Sequence, residues 1–267
     1  MSFTPEQTRA WLDRLQAAGI DEAGQDLRHI ILSAKDADTV EAMVARRANR
    51  EPLSHILGDK PFWTLDLKVT ADVLTPRADT ETLVETVLKQ VPDRAARLEI
   101  ADLGTGSGAI LLALLSELPN AVGLGVDISE SALAIARENA VRNDLTMRCE
   151  FRTGDWAEDI ADASLDIAVS NPPYIAGAVI DTLEPEVKDH EPRLALDGGE
   201  DGLDVYRVLI PELFRILRPG GLMAVEIGYD QGGPVSVLAR AAGFDTAAIA
   251  RDLGGHDRVI WARKRES

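Results

Sequence analysis

The chain has 267 residues, of which 45% are hydrophobic and 27% are charged, so it can bury a large core and still leave room for a smaller domain. Its net charge of −17 argues against sequence-independent binding to a phosphate backbone, which depends on clustered Lys and Arg side chains, although total charge does not exclude a local basic patch. No direct nucleic-acid binding is expected.

The sequence shows neither a targeting signal nor a metal-binding pattern. It has no run of about 18 apolar residues and its first residues are polar and amphipathic, which predicts no membrane association and a cytoplasmic location. The single cysteine, Cys149, lies in a predicted strand and is expected to be buried rather than reactive. The four histidines lack the spacing of metal ligands, so no metal is expected.

Residues 1–52 are predicted to form a small helical bundle. The stretch Thr4-Pro5-Glu6-Gln7 has the pattern of a capping box, Asp21 can cap a second helix, and a third helix runs from about residue 37 to residue 49. Apolar residues recur at helical spacing in each: Trp11, Leu12 and Leu15, then Leu27, Ile30 and Ile31, then Val40, Met43 and Val44. We interpret the bundle as a substrate-docking module, while a stabilising cap without partners fits the pattern equally well.

Residues 53–75 are predicted to connect this bundle to a larger domain, residues 76–267. The alternation of apolar and polar side chains from Phe62 to Val69 is typical of a strand or hairpin. Pro76 and Arg77 are interpreted as one edge of the active cleft, in preference to an exposed turn.

The larger domain is predicted to be an α/β sheet domain. Apolar runs alternate with segments of helical periodicity, which is the pattern of βαβ units. The predicted strands are 98–103, 122–126, 147–152, 165–169, 222–227, 244–250 and 259–262, and the predicted helices between them are 109–117, 130–143, 203–217 and 235–242. Residues 184–202 form an irregular insertion, interpreted as a wall of the substrate pocket.

A glycine-rich turn follows the first of these strands and predicts a nucleotide-like ligand. In Asp102-Leu103-Gly104-Thr105-Gly106-Ser107-Gly108, the glycines permit positive φ and let a ligand approach the backbone. Asp127 ends the next apolar run, where a carboxylate accepts hydrogen bonds from both ribose hydroxyls. Gly104, Gly106 and Ala109 also fit the fingerprint of nicotinamide dehydrogenases, but the extra Gly108, the preceding Asp102 and the lack of a hydride-transfer site argue against that class.

Two further positions follow strands at the same edge of the predicted sheet. After the third strand, Asp155 and Trp156 could meet the amine and the face of an adenine ring; a helix cap with a core tryptophan is the alternative. Glu226, near the end of a later strand, is interpreted as a structural acid.

The stretch Asn171-Pro172-Pro173-Tyr174-Ile175 follows a buried strand and is predicted to be the centre of the site. Consecutive prolines fix φ and remove two donors, which leaves stiff, outward-pointing carbonyl acceptors beside an amide and a phenol ring. This set suits a planar NH2 group, with two acceptors for its hydrogens and an aromatic face for its plane. An ordinary Asn-Pro-Pro turn is the alternative for this motif taken alone.

Together, the glycine turn and this loop resemble the class I S-adenosylmethionine-dependent methyltransferases that alkylate planar nitrogens. The whole chain resembles the bacterial and organellar peptide chain release factor N5-glutamine methyltransferases. The resemblance rests on the helical N-terminal part and on these motifs: Arg50-Glu51-Pro52, Phe62-Trp63, Pro76-Arg77-Ala78-Asp79-Thr80-Glu81, the glycine turn, Asn171 to Ile175, and Glu191-Pro192 to Gly202. Ala78, where the family usually has a second proline, and His55, in place of a common tyrosine, depart from the pattern.

The resemblance implies a Rossmann-like methyltransferase sheet preceded by a helical bundle and a connecting hairpin. It implies methyl transfer from S-adenosyl-L-methionine, leaving S-adenosyl-L-homocysteine, to the glutamine of a Gly-Gly-Gln loop on class I release factors. By the family's pattern the cofactor is bound by Gly104, Thr105, Gly106, Ser107, Gly108, Asp127, Trp156 and Asn171. The catalytic residues are then Asn171, Pro172 and Tyr174, and the substrate is held by Asn171, Pro172, Pro173 and Tyr174.

Three rival functions remain open at this point. An adenine-N6 methyltransferase of nucleic acid uses the same kind of cradle, but it should carry a basic groove or a target-recognition domain. A glutamine methyltransferase acting on a ribosomal protein is closer, and only residues 76–81 argue against it. A cofactor-binding regulator that has lost catalysis is opposed by the intact Asn-Pro-Pro-Tyr loop.

Overall fold

The computed structural model describes residues 3–266, which begin with three helices that share a core of their own. These are α1 (Pro5–Ala17), α2 (Ala23–Ser33) and α3 (Ala37–Ala48). The predicted capping box is present, because the Thr4 hydroxyl accepts from the Gln7 N–H at 3.2 Å and the Gln7 side chain accepts from the Thr4 N–H at 3.0 Å. The predicted cap at Asp21 is wrong: Glu22 occupies the N-cap of α2 and makes no side-chain capping bond.

A short helix and a hairpin join these helices to the sheet. They are α4 (Leu53–Leu57), β1 (Asp59–Phe62) and β2 (Leu65–Lys68), and the two strands pair antiparallel. The predicted alternation therefore corresponds to a hairpin that turns at Trp63, while α4 was not predicted because five residues carry no helical period.

Seven strands form the main sheet, in the order β5-β4-β3-β6-β7-β9-β8. Their bounds are β3 (Glu99–Leu103), β4 (Val122–Asp127), β5 (Cys149–Thr153), β6 (Leu165–Ser170), β7 (Leu217–Glu226), β8 (Ala248–Arg251) and β9 (Asp257–Arg263). The first five strands in this order pair parallel, and β9 runs antiparallel to both of its neighbours. Because the chain steps from β3 outward to β4 and later returns to β6 on the other side, the carboxyl ends of β3 and β6 flank a switch point, where open sheets of this type bind ligands.

Helices cover both faces of the sheet. They are α5 (Glu81–Gln90), α6 (Ala109–Glu117), α7 (Glu130–Arg142), α10 (Asp204–Ile216) and α11 (Gly232–Ala242), with the one-turn helices α8 (Gly177–Ile180) and α9 (Pro185–Lys188) inside the insertion. The first apolar layer contains α5, α6, α7 and the hairpin, and the second contains α10 and α11. The central strands β3 and β6 and residues 222–226 of β7 are buried on both faces, which explains why their sequences are largely apolar.

Two strands begin more than two residues away from their predicted start. Strand β7 begins at Leu217 and continues through Arg218–Gly221, which lie between the predicted helix 203–217 and the predicted strand 222–227. Its register with β6 shifts between Leu165 and Ile167 to accommodate the extra residues. Strand β8 begins only at Ala248, whereas Phe244, the predicted first residue, packs edge-on against Phe214 at 5.1 Å between ring centroids.

Cys149 is half-buried rather than buried, and burial raises the pKa of its thiol to about 11. Within residues 3–266 no helix is both long enough and apolar enough to cross a membrane.

Candidate active site

A cavity of about 380 Å³ opens at the carboxyl ends of β3, β4 and β6. Predicted site residues line it: Gly104, Thr105, Gly106, Ser107, Asp127, Trp156, Asn171 and Pro173. Three other predicted site residues, Gly108, Pro172 and Tyr174, do not line it. The cavity therefore joins the glycine turn to the Asn-Pro-Pro loop, as expected if the two motifs serve one reaction.

The glycine turn needs its glycines for different physical reasons. Gly104, Gly106 and Gly108 all have positive φ, of 72°, 55° and 81°. A Cβ at Gly104 would lie 3.4 Å from the Trp156 ring, one at Gly106 would meet no atom within 4 Å, and one at Gly108 would lie 3.3 Å from the Ala136 Cβ on α7. Gly106 therefore opens to the cavity, Gly104 seats the tryptophan, and Gly108 permits the close packing of α6 on α7.

A buried amide on α7 supports this turn from behind. The Asn139 Nδ2 donates to the carbonyl of Ser107 at 2.9 Å and to that of Lys68 at 3.0 Å, while its Oδ1 accepts from the Lys68 N–H at 2.6 Å. One fully buried side chain thus ties the turn to the hairpin. Its role had no local signal, because it depends on the hairpin docking against α7.

Asp127 is fixed by the backbone at the mouth of the cavity. Its Oδ2 accepts from the Gly106 N–H at 2.8 Å and its Oδ1 from the Ser129 N–H at 2.9 Å. Each carboxylate oxygen keeps a further lone pair. The carboxylate is therefore held in place and can still accept hydrogen bonds from a ligand.

Asp102 is fully buried beneath the glycine turn. Its Oδ2 accepts from the Thr105 hydroxyl at 2.7 Å, and within the described residues its Oδ1 has no hydrogen-bond partner. Burial raises the pKa of this carboxyl to about 7, partly opposed by the Thr105 hydrogen bond and increased further by the nearby Asp127. An unsatisfied buried acceptor of this kind suits a cationic or amino-bearing ligand.

This buried carboxyl should make stability depend on pH. Because its folded pKa of about 7 exceeds its ordinary value of 3.8, the stability that its neutral form contributes is complete at acidic pH and is lost as the pH rises through 7. We expect Asp102→Asn, which cannot ionise, to gain stability relative to the native protein between about pH 4 and pH 8, by up to about 4 kcal/mol. Urea unfolding at a series of pH values measures the difference, and Asp159→Asn, at an exposed position, is the matched control. Parallel stability curves for the native protein and Asp102→Asn would contradict the burial effect.

Trp156 forms one wall of the cavity. It has a positive φ of 50°, which is unusual for an aromatic residue, and its ring packs over Gly104. Asp155 and the exposed Ile128 line the cavity beside it. A planar aromatic ligand would find an apolar surface here with a carboxylate at its edge.

The Asn-Pro-Pro loop forms the side of the cavity opposite Trp156. The Asn171 Nδ2 donates to the Thr80 Oγ1 at 3.4 Å, and the hydrogen bonds within residues 3–266 leave the Asn171 side-chain oxygen without a donor. Pro172 is buried, whereas Pro173 lines the cavity. The Tyr174 hydroxyl donates to the Glu226 Oε1 at 3.2 Å, and its ring packs on the second apolar layer and does not line the cavity.

The insertion encloses the cavity, with Pro192, Leu194, Ala195 and Asp197 among the lining residues. It pairs with the loop, since the Ile175 N–H donates to the Leu196 carbonyl at 3.0 Å and the Gly198 N–H donates to the Ile175 carbonyl at 2.8 Å. A Cβ at Gly198 would lie 2.8 Å from the Tyr174 backbone, so only glycine fits there. The predicted wall is therefore built directly onto the Asn-Pro-Pro loop.

The residues predicted to form one edge of the cleft are anchored by a buried acid, Glu191, to which the sequence analysis assigned no role of its own. Pro76 and Arg77 line the cavity, and the Arg77 Nη2 donates to the Glu191 Oε2 at 2.6 Å. The Thr75 N–H donates to the other Glu191 oxygen at 3.3 Å. Only 1% of the Glu191 side chain is exposed, and burial raises the pKa of its carboxyl despite Arg77.

The helical bundle is joined to the insertion by ion pairs. Arg47, largely buried, pairs with Asp26 of its own bundle at 2.7 Å and with Glu186 of α9 at 2.8 Å. Arg50 reaches Glu186 at 2.7 Å and Glu184 at 3.0 Å. A cavity wall is therefore in direct contact with the bundle that was predicted to dock the substrate.

The sheet order, with β9 antiparallel to both neighbours, and the glycine-turn cavity at the switch point define a class I methyltransferase. Solved structures show the same fold: a methyltransferase from Pyrococcus furiosus has a TM-score of 0.57 at 18% identity, over 83% of this chain and 98% of that one. A ribosomal protein L11 methylase from Lactobacillus delbrueckii subsp. bulgaricus has a TM-score of 0.51 at 21% identity, over 71% of this chain and 81% of that one.

Sequence comparisons identify the family within this class. The PrmC N-terminal domain profile matches residues 27–58, and the Methyltransferase small domain profile matches residues 77–199. The chain is 50% identical to the release factor glutamine methyltransferase of Caulobacter vibrioides over 94% of each chain. It is 44% identical to that of Rhodospirillum rubrum, over 96% of this chain and 83% of that one. The chain belongs to the release factor glutamine methyltransferase family, which confirms the resemblance found in the sequence, and the rival activities are not favoured.

Proposed function

We propose that this protein transfers a methyl group from S-adenosyl-L-methionine to the side-chain amide nitrogen, N5, of the glutamine in the Gly-Gly-Gln loop of class I peptide chain release factors. Relatives that match over most of their length are named release factor glutamine methyltransferases, which supports the reaction and the substrate. The observation that carries the proposal is Asn171, whose amide NH2 is held by Thr80 beside the cavity while its oxygen is left as an acceptor.

The cavity residues fit the proposed cofactor, which supplies an electrophilic methyl group when bound. The turn from Gly104 to Gly108 holds its methionine part, with Gly106 open to the cavity. Asp127 accepts from the ribose hydroxyls. Trp156 lies against the adenine ring.

Positioning provides most of the catalysis in this proposal. An amide nitrogen is a poor nucleophile, because its lone pair is delocalised into the carbonyl. The Asn171 side-chain oxygen accepts a hydrogen bond from the substrate NH2, orients the nitrogen, and stabilises the positive charge that develops on it. The role of the Pro172 carbonyl as the second acceptor stays a prediction, because Pro172 is buried and does not line the cavity. The proton leaves afterwards to water. The packing of the Tyr174 ring on the substrate amide stays a prediction, because this ring does not line the cavity.

The helical part of the chain, residues 1–52, is proposed to dock the release factor. Its ion pairs to Glu184 and Glu186 connect it to the cavity wall, so a bound partner would lie next to the site. No metal takes part in the proposed reaction. We place the protein in the cytoplasm, where release factors act.

One experiment tests the proposed function. The protein is incubated with labelled S-adenosyl-L-methionine and a purified class I release factor, and the modified residue is mapped by mass spectrometry. We expect a single methyl group on the glutamine of the Gly-Gly-Gln loop and none when that glutamine is replaced by alanine. Methylation of another residue, or of a ribosomal protein or an adenine base in preference to the release factor, would contradict the proposal.

A further inference from the structure

The Gln231 side chain joins three segments around the Asn-Pro-Pro loop. Gln231 is half-buried and lies in the turn between β7 and α11, immediately before the helix. Its Nε2 donates to the Tyr174 carbonyl at 3.0 Å and to the Gly202 carbonyl at 3.1 Å, and its Oε1 accepts from the Gly228 N–H at 2.9 Å. One amide therefore binds the loop, the end of the insertion and the turn that follows β7.

The surroundings of this amide fix its orientation. Two carbonyl oxygens face one end of the Gln231 side chain and an N–H group faces the other, so the NH2 group lies toward the carbonyls. Gly202 makes the contact possible, because a Cβ there would lie 2.5 Å from the Tyr174 oxygen and 2.8 Å from the Gln231 Nε2. Glycine lets the insertion approach the loop closely enough for one NH2 group to bind both carbonyls.

The Asn-Pro-Pro loop is thus held at both ends. At its start, the buried Ser170 hydroxyl donates to the Leu103 carbonyl at 2.6 Å, and at its end Gln231 binds the Tyr174 carbonyl. The two prolines between these ends have fixed φ, so a displacement of the Tyr174 backbone is transmitted to Asn171 instead of being absorbed by the loop. The position of Asn171 in the cavity therefore depends on a residue that does not line the cavity.

We propose that Gln231 is a positioning residue for methyl transfer, which fixes the loop against the insertion and so places Asn171 relative to the wall of the cavity. This inference rests on the proposed function, in which Asn171 orients the substrate amide. The hydrogen bonds of Ile175 and Gly198 also join the loop to the insertion, but they begin one residue after Tyr174. Within residues 3–266, the Tyr174 carbonyl accepts a hydrogen bond from Gln231 alone.

Two substitutions of Gln231 test the proposal. Gln231→Met keeps the length of the side chain and removes its three hydrogen bonds, while Gln231→Glu keeps the shape and turns a carboxylate oxygen toward two carbonyls. We expect kcat to fall by about 10- to 100-fold in Gln231→Met and at least as far in Gln231→Glu, since misplacement of a catalytic group by about 1 Å has effects of this size. Cofactor affinity should stay within a few-fold, because Gln231 contacts neither the glycine turn nor Asp127. Gln90→Met and Gln90→Glu, the same changes at the half-buried last residue of α5, should leave kcat unchanged.

A double variant shows whether Gln231 acts through Asn171. If it does, Gln231→Met combined with Asn171→Ala should be no slower than Asn171→Ala alone. Multiplication of the two single effects would overturn the proposal, and so would native kcat in Gln231→Met. An equal loss of kcat and of cofactor affinity in Gln231→Met would also reject it, since that pattern indicates general damage to the fold.

Hydrogen exchange of the protein without release factor separates this proposal from the proposed function. The N–H groups of Ile175 and Gly198 join the loop to the insertion, and mass spectrometry of the peptides that contain them reports how often this contact opens. We expect their exchange to be several-fold faster in Gln231→Met and unchanged in Gln90→Met. Faster exchange in a protein that methylates no release factor would reject the proposed function and support the role of Gln231 in holding the loop. Exchange at the native rate in Gln231→Met would reject that role itself.

Discussion

Replacing Asn171 by alanine should lower kcat for methyl transfer by about 100- to 1,000-fold while leaving cofactor affinity within a few-fold. The substitution removes the acceptor that is proposed to orient the amide nitrogen and to stabilise the charge developing on it. Because Asn171 makes its hydrogen bond to Thr80 and not to the glycine turn, the cofactor-binding residues should keep their geometry. Steady-state kinetics with release factor and calorimetry with the cofactor alone measure the two effects separately.

Asn120→Ala is a suitable control for this prediction. Asn120 is an exposed amide just before β4, at the opposite edge of the sheet, where its Nδ2 donates to the Ala95 carbonyl at 2.7 Å. The control should show native kinetics. An Asn171→Ala protein that loses cofactor binding as severely as turnover would instead place Asn171 in folding or in cofactor retention.

The sequence predicted the structure best where all the residues that determine a local conformation are adjacent in the chain. The strand, glycine turn and helix around Gly104 to Gly108 were predicted because positive φ and apolar periodicity are properties of a few adjacent residues. The place of the Asn-Pro-Pro loop followed from the same reasoning, since it comes directly after a buried apolar run. That both motifs line one cavity followed from the rule that parallel strands end at the same edge.

Residues whose hydrogen bonds join distant parts of the chain could not be predicted from local sequence. Asn139 and Thr80 look like ordinary polar positions in or beside helices, and Glu226 was interpreted only as a structural acid. Their partners lie 71, 91 and 52 residues away along the chain. Burial of such groups depends on the sheet order, and the sequence contains no signal that places β6 between β3 and β7.

The buried acids of this molecule share one arrangement. Asp102, Glu191 and Glu226 each lie directly behind residues of the site, and burial raises the pKa of each carboxyl. Two of them also retain a hydrogen bond with a residue that lines the cavity: Asp102 with Thr105, and Glu191 with Arg77. A buried acceptor behind a lining residue fixes the direction in which that residue donates its hydrogen bond. Burying an acid also destabilises the fold, and such strained groups are typical of functional sites.

Replacing Asp127 by alanine should raise the dissociation constant of S-adenosyl-L-methionine by about 10- to 100-fold, because hydrogen bonds to a charged acceptor contribute roughly 1.5 to 3 kcal/mol each. The variant loses the proposed ribose acceptor and also the carboxylate that holds the N–H groups of Gly106 and Ser129. At saturating cofactor, kcat should change much less than affinity, since Asp127 is not proposed to touch the substrate amide.

Comparison with Asp127→Asn separates the proposed contact with the ribose from the contacts with the backbone N–H groups. Asparagine keeps one acceptor for the backbone but presents an NH2 group in place of the second oxygen, so its affinity should lie between that of the alanine variant and that of the native protein. Isothermal titration calorimetry with the cofactor, together with thermal unfolding of the free proteins, measures binding and folding independently. Unchanged affinity in Asp127→Ala would remove the ribose-binding role from this residue. The glycine turn and Trp156 would then have to account for the specificity of the cavity for a nucleoside.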